Sequence, residues 1–318
     1  MKYVAPKRLN KGDKVAIIAP SSPFVPHEVV EGLDILREAG LKPVFGPNVK
    51  NLRTSRVVAG TREQRTEELM WAFSDPSIKG IFVSTGGYGS AGCLPGLDYE
   101  VIRKTRKSLL GFSDITALNN GILKGAGLIS INGQTLSIRV DEGGAKRESD
   151  SNSLEIAVEL MMSDEDWGVR PFEVNNKFSR CVSPGKARGP AIGTNINTFC
   201  TLIGTPHMPD YKGTILFLED THEDGEEIAR ELLHLDLAGI LDDVAGVVIG
   251  EFAEVPKKTD ARVPDVDDVV LDFFGKRGVP CSYGYSFSHG MYTVPVPIGA
   301  DTELDAETGE VTFHFRMG

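Results

Sequence analysis

Ser113 stands at the centre of Lys107–Asn120, KSLLGFSDITALNN, where a strand and a helix are joined by very few residues. Ser108–Leu110 reads as the end of a buried strand, and Ile115, Leu118, Ile122 and Leu123 share one helical face. Gly111-Phe112-Ser113-Asp114 leaves room only for a sharp turn. Such a turn lifts the middle side chain out of the sheet and aims it at the electropositive start of the helix. A serine held there can act as a nucleophile, because the amide after it points where an oxyanion would form. The same residues also suit a plain helix cap, with Ser113 or Asp114 as the capping group. The stretch departs from the full G-x-S-x-G elbow, since position 115 is Ile.

A nucleophilic serine needs a base to take its proton and a carboxylate to hold that base in one tautomer. Of the six histidines, His27 and His234 fall within helices and His314 in the last strand, while His207 and His222 lie in loops. His289 differs. Ser286-Phe287-Ser288-His289-Gly290 follows a strand and precedes Val294-Pro295-Val296-Pro297, a rigid loop able to hold an imidazole. For the carboxylate, Glu219 at a strand end is better placed than Asp220, which alternation turns to the opposite face. Strand-end carboxylates also serve as simple helix caps. Ser, then Glu, then His is the chain order of the α/β-hydrolases.

The elements that must hold these residues alternate between strand and helix. Lys14–Ala19 is a continuous apolar run ending in Pro20-Ser21-Ser22-Pro23, where Ser21 and Ser22 either touch a ligand or cap the turn. A helix over His27–Ala39, a strand over Leu41–Phe45 and a capping box at Thr61–Gln64 follow. Gly80–Ser84 is the next strand, and Thr85-Gly86-Gly87-Tyr88-Gly89-Ser90 comes directly after it. A glycine run lets amides approach a phosphate or an oxyanion, or simply makes a tight turn. Its spacing is not that of a phosphate-binding loop. Tyr99–Arg103 is a short helix and Leu128–Asn132 a strand.

Asp141–Asn152 is polar and reads as a linker or flap; Leu154–Met162 is helical. Asp164–Trp167 looks exposed, with Trp167 either stacking on a substrate or packing at a domain interface. In the second half, Gly193–Asn197 opens a helix through Leu202, and Thr214–Leu218 is a strand with Glu219-Asp220 at its end. A helix over Glu226–Leu235, a strand over Gly246–Gly250 ending at Glu251, a helix over Val266–Phe274 and a strand over Cys281–Tyr285 follow. Thr302–Leu304 and Val311–Phe315 pair as a hairpin. The predicted class is α/β: an N-terminal domain over 1–150 with a mainly parallel sheet, a linker or flap over 151–178, and a C-terminal α/β domain over 179–318.

At 318 residues the chain has length enough for two domains. A net charge of −11 argues against a nucleic-acid polymer or an anionic membrane as partner. No window approaches a transmembrane helix, and the N-terminus lacks a signal-peptide stretch. The four cysteines are scattered with no CxxC pair, the pattern of reduced thiols in a cytoplasmic protein, and imply no metal site.

In the order Ala19-Pro20-Ser21-Ser22, Gly86-Gly87-Tyr88-Gly89, Leu94-Pro95-x-Leu97-Asp98-Tyr99 and Gly111-Phe112-Ser113-Asp114-Ile115-Thr116, the chain resembles the serine LD-carboxypeptidases, which include the microcin C self-immunity peptidases. Asn195, Gly204-Thr205-Pro206, Leu218-Glu219-Asp220, His289 and Pro297-x-Gly299 extend the resemblance over nearly the whole length. It implies Ser113 as nucleophile, His289 as general base and Glu219 as its orienting partner. The amides of Gly87 and Asp114 would form the oxyanion hole, with Gly86, Tyr88, Asn195 and Trp167 near the substrate. It also implies an active site at the domain interface, no cofactor, and a homodimer. The substrate implied is a small peptide, a murein tetrapeptide losing its terminal D-Ala, or alternatively a peptidyl or aminoacyl nucleotide of the microcin C type. Thr85 stands where the carboxypeptidases of the family usually read Arg, which removes a cation from this loop and leans toward the second branch; Gly89-Ser90 keeps the carboxypeptidase form. Two rivals stand beside this reading: a binding protein that has lost turnover, and a phosphate-binding enzyme using the GGYGS turn, which lacks a P-loop lysine.

Overall fold

In the computed structural model, residues 2–47, 49, 57–140, 147–169, 180–257 and 262–318 are described. The chain forms two compact units. One comprises Met1–Asp166, Pro295–Gly299 and Arg316–Gly318, and the other Trp167–Val294 and Ala300–Phe315. The chain returns twice to the first unit near its end.

The first unit is a six-stranded sheet. Strands β1 (Lys14–Ile18), β2 (Lys42–Phe45), β3 (Ile78–Val83), β4 (Ser108–Gly111) and β5 (Ser130–Asn132) run parallel in the order β5-β4-β3-β1-β2. β1, β3 and β4 are almost wholly buried, which is why they read as unbroken apolar runs. Helices α1 (Val30–Glu38), α2 (Arg62–Ser74), α3 (Tyr99–Thr105), α4 (Thr116–Ala126) and α5 (Glu148–Met162) complete the layers. α1 packs on α5, whereas α2, α3 and α4 pack in a row. The order reverses between β1 and β3, and at such a switch point the loops leaving the two strands part and open a crevice. Those loops are Pro20–Pro23 and the glycine run.

The second unit is an eight-stranded mixed sheet. β6 (Gly168–Val169) and β7 (Arg180–Ser183) are its edges. Its centre is parallel: β8 (Lys186–Asn195), β9 (Ile215–Thr221), β10 (Gly246–Ala253) and β11 (Cys281–Tyr285), in that order. Helices α6 (Ile196–Cys200), α7 (Gly225–Leu237), α8 (Ile240–Asp243) and α9 (Val266–Phe274) connect these strands, with α6, α8 and α9 all packed on α7. Next, β12 (Val296–Ile298) adds to the first sheet, antiparallel to β5. The hairpin β13 (Asp301–Asp305) and β14 (Glu310–His314) pairs antiparallel to β8 in the second.

Three differences from the sequence reading have physical causes. Residues 148–152, expected in a linker, form the first turns of α5, while 141–146 lie outside the described residues. The Asp150 carboxylate explains this, accepting from the Arg139 amide at 3.0 Å and from its guanidinium at 2.9 and 2.7 Å, at 1% exposure. The helix expected from Gly193 starts only at Ile196, because 186–195 is strand paired on both sides. Trp167, expected in an exposed stretch, is buried with its ring edge-on to Phe315 at 5.0 Å. Of the segment expected as linker, 170–178 lies outside the described residues.

An acidic set at β9 and α7 gives the second unit a pH dependence. Burial, reinforced by Glu219, raises Asp220 to about 6. Burial with neighbouring carboxylates raises Glu223 to about 7 and Glu231 to about 8. A carboxyl whose folded pKa exceeds its unfolded value is bound to a proton more tightly when folded, so its contribution is lost as pH rises through the folded value. Glu231→Gln should therefore lose less stability than the parent between pH 5 and 8.5 in urea titrations. Parallel curves for the two proteins would remove Glu231 from the account.

Candidate active site

β4 ends at Gly111, Phe112 is extended, and Ser113 then takes φ 63 before the helical turn Ser113–Ile115 leads into α4. A left-handed backbone at a non-glycine residue costs of order 1 kcal/mol and persists only where the surroundings impose it. Gly111 is part of that imposition: a Cβ there would lie 2.6 Å from Ile115 Cγ2. With glycine at 111, isoleucine fits at 115, and the turn keeps an elbow's geometry without the second glycine of the motif.

The glycine run packs against the elbow. A Cβ on Gly86 would sit 2.9 Å from Ser113 Cβ and 3.3 Å from its Oγ. Gly87 has φ 106, and a Cβ there would fall 2.1 Å from Ser22 Oγ. Ser22 Oγ donates to the Val57 carbonyl at 2.7 Å and accepts the Tyr88 amide at 3.2 Å. The Asp114 carboxylate, buried, accepts the Ser21 hydroxyl at 2.5 Å and the amides of Gly89 and Ser90 at 3.2 and 2.8 Å. Ser21, Ser22 and Asp114 thus tie the loops of the switch point together. Among the described residues the amides of Tyr88, Gly89 and Ser90 are occupied, whereas those of Gly87 and Asp114 make no hydrogen bond. Tyr88 itself is 65% exposed.

Gly87→Ala should lower kcat/KM by about 10²–10³, the cost of displacing one oxyanion donor. Steady-state hydrolysis measures it; parental kinetics would mean that this amide stabilises no charge.

The second unit holds a carboxylate–imidazole pair. Glu219 and Phe217 share one face of β9, and both reach the loop after β11. Phe287 packs edge-on to Phe217 at 5.3 Å, and two residues later His289 meets Glu219. Nδ1 of His289 lies 2.7 Å from Glu219 Oε2, which also accepts the His289 amide at 3.2 Å. A neutral imidazole donating from Nδ1 has its basic lone pair on Nε2. Glu219 is fully buried and its Oε1 has no hydrogen-bond partner among the described residues.

The register of β10 against β9 shifts between Ile249 and Phe252, a bulge beside Glu219. Gly250 sits in it, and a Cβ there would lie 3.1 Å from Glu219 Cβ and 3.2 Å from the Phe287 ring. The bulge also aims Glu251 at the histidine loop, where its Oε2 accepts the Met291 amide at 3.2 Å. Alternation along β9 turns Asp220 the other way. It accepts from the Asn195 side chain at 2.8 Å and the Asn197 amide at 2.9 Å. Asn195 in turn caps α6 by accepting the Thr198 amide, so both ends of its amide have internal partners. Trp167 is likewise committed to the interior. Sequence reasoning passed over Arg65, a buried cation against the glycine loop, and Glu251.

Among the described residues, no group of three or more His, Cys, Asp or Glu is arranged to hold a metal ion, and no helix is long and apolar enough to cross a membrane.

The first unit thus holds a strand-end serine beside two amides without a hydrogen bond, and the second holds a histidine fixed by a buried glutamate. Residues 15–133 match the LD-carboxypeptidase N-terminal domain and residues 188–304 the LD-carboxypeptidase C-terminal domain. The chain is 32% identical to a probable murein peptide carboxypeptidase of Bacillus subtilis over 98% of this chain and 94% of that protein. The muramoyltetrapeptide carboxypeptidase of Oxalobacter formigenes is similar in structure, with a TM-score of 0.79 at 26% identity, covering 94% of this chain and 97% of that one. MccF in complex with glutamyl sulfamoyl guanosine shares the fold, with a TM-score of 0.83 at 23% identity over 98% and 99% of the two chains. The chain belongs to the LD-carboxypeptidase family and is a peptidase.

Proposed function

We propose that this protein is a serine LD-carboxypeptidase that releases the terminal D-Ala of murein tetrapeptides by hydrolysing the L,D-amide bond. The observation that carries this reading is Ser113 held at φ 63 on the β4 elbow beside two uncommitted amides. In this mechanism Ser113 Oγ attacks the amide carbonyl as His289 Nε2 takes its proton. The amides of Gly87 and Asp114 receive the oxyanion, and Glu219 holds the imidazole and steadies its charge. His289 then protonates the leaving amine, and water, activated by the same nitrogen, resolves the acyl-enzyme. The protein would work in the cytoplasm as a homodimer, in keeping with four cysteines that form no disulfide.

Thr85 favours a second reading. Without a cation at this position the loop offers less to a free substrate carboxylate, and MccF is bound to an aminoacyl sulfamoyl nucleotide. Side-by-side hydrolysis of L-Ala-D-Glu-meso-diaminopimelate-D-Ala and glutamyl sulfamoyl adenosine, followed by mass spectrometry, separates the two. Loss of one alanine at the higher kcat/KM supports the carboxypeptidase; preference for the nucleotide moves the assignment to the detoxifying branch.

A further inference from the structure

We propose that Arg65 is a positioning residue for the oxyanion hole, setting the place of the Gly87 amide through Gly89; this rests on the reading of Gly87 as an oxyanion donor. Arg65 lies in the first turns of α2 and is only 5% exposed. Its Nη1 donates to the Pro20 carbonyl at 2.8 Å and to the Gly89 carbonyl at 2.7 Å, and Nε reaches the Thr61 carbonyl at 3.4 Å. Pro20 follows β1 and Gly89 follows β3, so one guanidinium joins the two loops that part at the switch point.

Gly89 is gripped from both sides. Its carbonyl is held by Arg65 and its amide by Asp114, the residue next to the nucleophile. It has φ 104, and a Cβ there would fall 3.0 Å from Arg65 Nη1 and 2.7 Å from Val58 Cγ1. Gly87 is two residues upstream, on a chain with no side chain of its own to fix it. A planar guanidinium can serve two carbonyls and keep its geometry, whereas an ammonium offers a point charge on a flexible stem. A buried cation that binds one carbonyl of the glycine loop together with the Pro20 and Thr61 carbonyls is therefore placed to fix that loop, and Gly87 with it.

The test uses Arg65→Lys and Arg65→Gln, assayed with the tetrapeptide, together with Arg65→Ala assayed with and without added guanidinium. The expected result is a kcat reduced by about 10–100-fold in folded Arg65→Lys and Arg65→Gln proteins, as for other outer-shell supports, with KM within about two-fold of the parent. Affinity for a peptide boronic acid, whose serine adduct carries the tetrahedral oxygen, should fall in step with kcat. Guanidinium, but not sodium chloride, should restore part of the Arg65→Ala rate. Parental kcat in either conservative variant, or a loss confined to KM, would overturn the proposal while leaving Ser113 chemistry standing. Turnover that survives Ser113→Ala would instead overturn the reading beneath it.

Discussion

Ser113→Ala should abolish turnover, lowering kcat by 10⁴-fold or more, on the order of what removal of a serine nucleophile costs elsewhere. The residue's backbone makes a sharper version of this prediction possible. Ser113 stands at φ 63, where an L side chain is strained and glycine is not. Ser113→Gly should therefore be as inactive as Ser113→Ala and yet at least as stable as the parent. Relief of strain of order 1 kcal/mol offsets the extra chain entropy that glycine carries when unfolded. Thermal melts and tetrapeptide turnover on the same preparations check both halves. A clearly destabilised glycine variant would mean that the left-handed turn is not imposed on the serine.

Glu219→Gln should cost roughly 10³–10⁴ in kcat with the fold kept, by analogy with amide replacement of a triad carboxylate. The reason lies in the hydrogen bonds. Oε2 accepts both the ring Nδ1 and the backbone amide of His289, and Oε1 has no donor among the described residues. An amide in its place either turns its NH₂ toward these donors or loses the charge that steadies the imidazolium. In the first case the tautomer with a basic Nε2 is no longer enforced, and in the second it is kept but the imidazolium that forms has no anionic partner. Steady-state hydrolysis of the tetrapeptide measures the loss, and thermal melts on the same preparation check that the fold is kept. Full activity in the folded variant would separate Glu219 from the chemistry.

The turn at Ser113 and the pairing of Glu219 with His289 were legible because Ser113 and Glu219 sit at or just past strand ends, where short apolar runs and side-chain alternation are informative. Alternation is what separated Glu219 from Asp220. What the sequence hid depends on partners distant along the chain. Arg65 reads as an ordinary solvated helix position, since its carbonyl partners lie 45 and 24 residues away. Lys186–Asn195 contains two glycines, a proline and a polar beginning, and becomes strand because β9 and β13 pair with it on either side. The Ser-, Asp- and Asn-rich start of α5 suggests a loop until Asp150 finds Arg139. Trp167 follows an acidic run, yet Gly168 at φ 56 lets the chain turn and bury the indole against Phe315.

The central claim, that Ser113 is the nucleophile, is tested most directly by fluorophosphonate labelling with the adduct mapped after trypsin digestion. The tryptic peptide running from Ser108 to Lys124 contains both Ser108 and Ser113. The account predicts one phosphonyl group per chain, located by fragmentation on Ser113, formed in parallel with loss of tetrapeptide hydrolysis and slowed in Glu219→Gln. An adduct at any other residue, or hydrolysis that persists after stoichiometric labelling of Ser113, would contradict it.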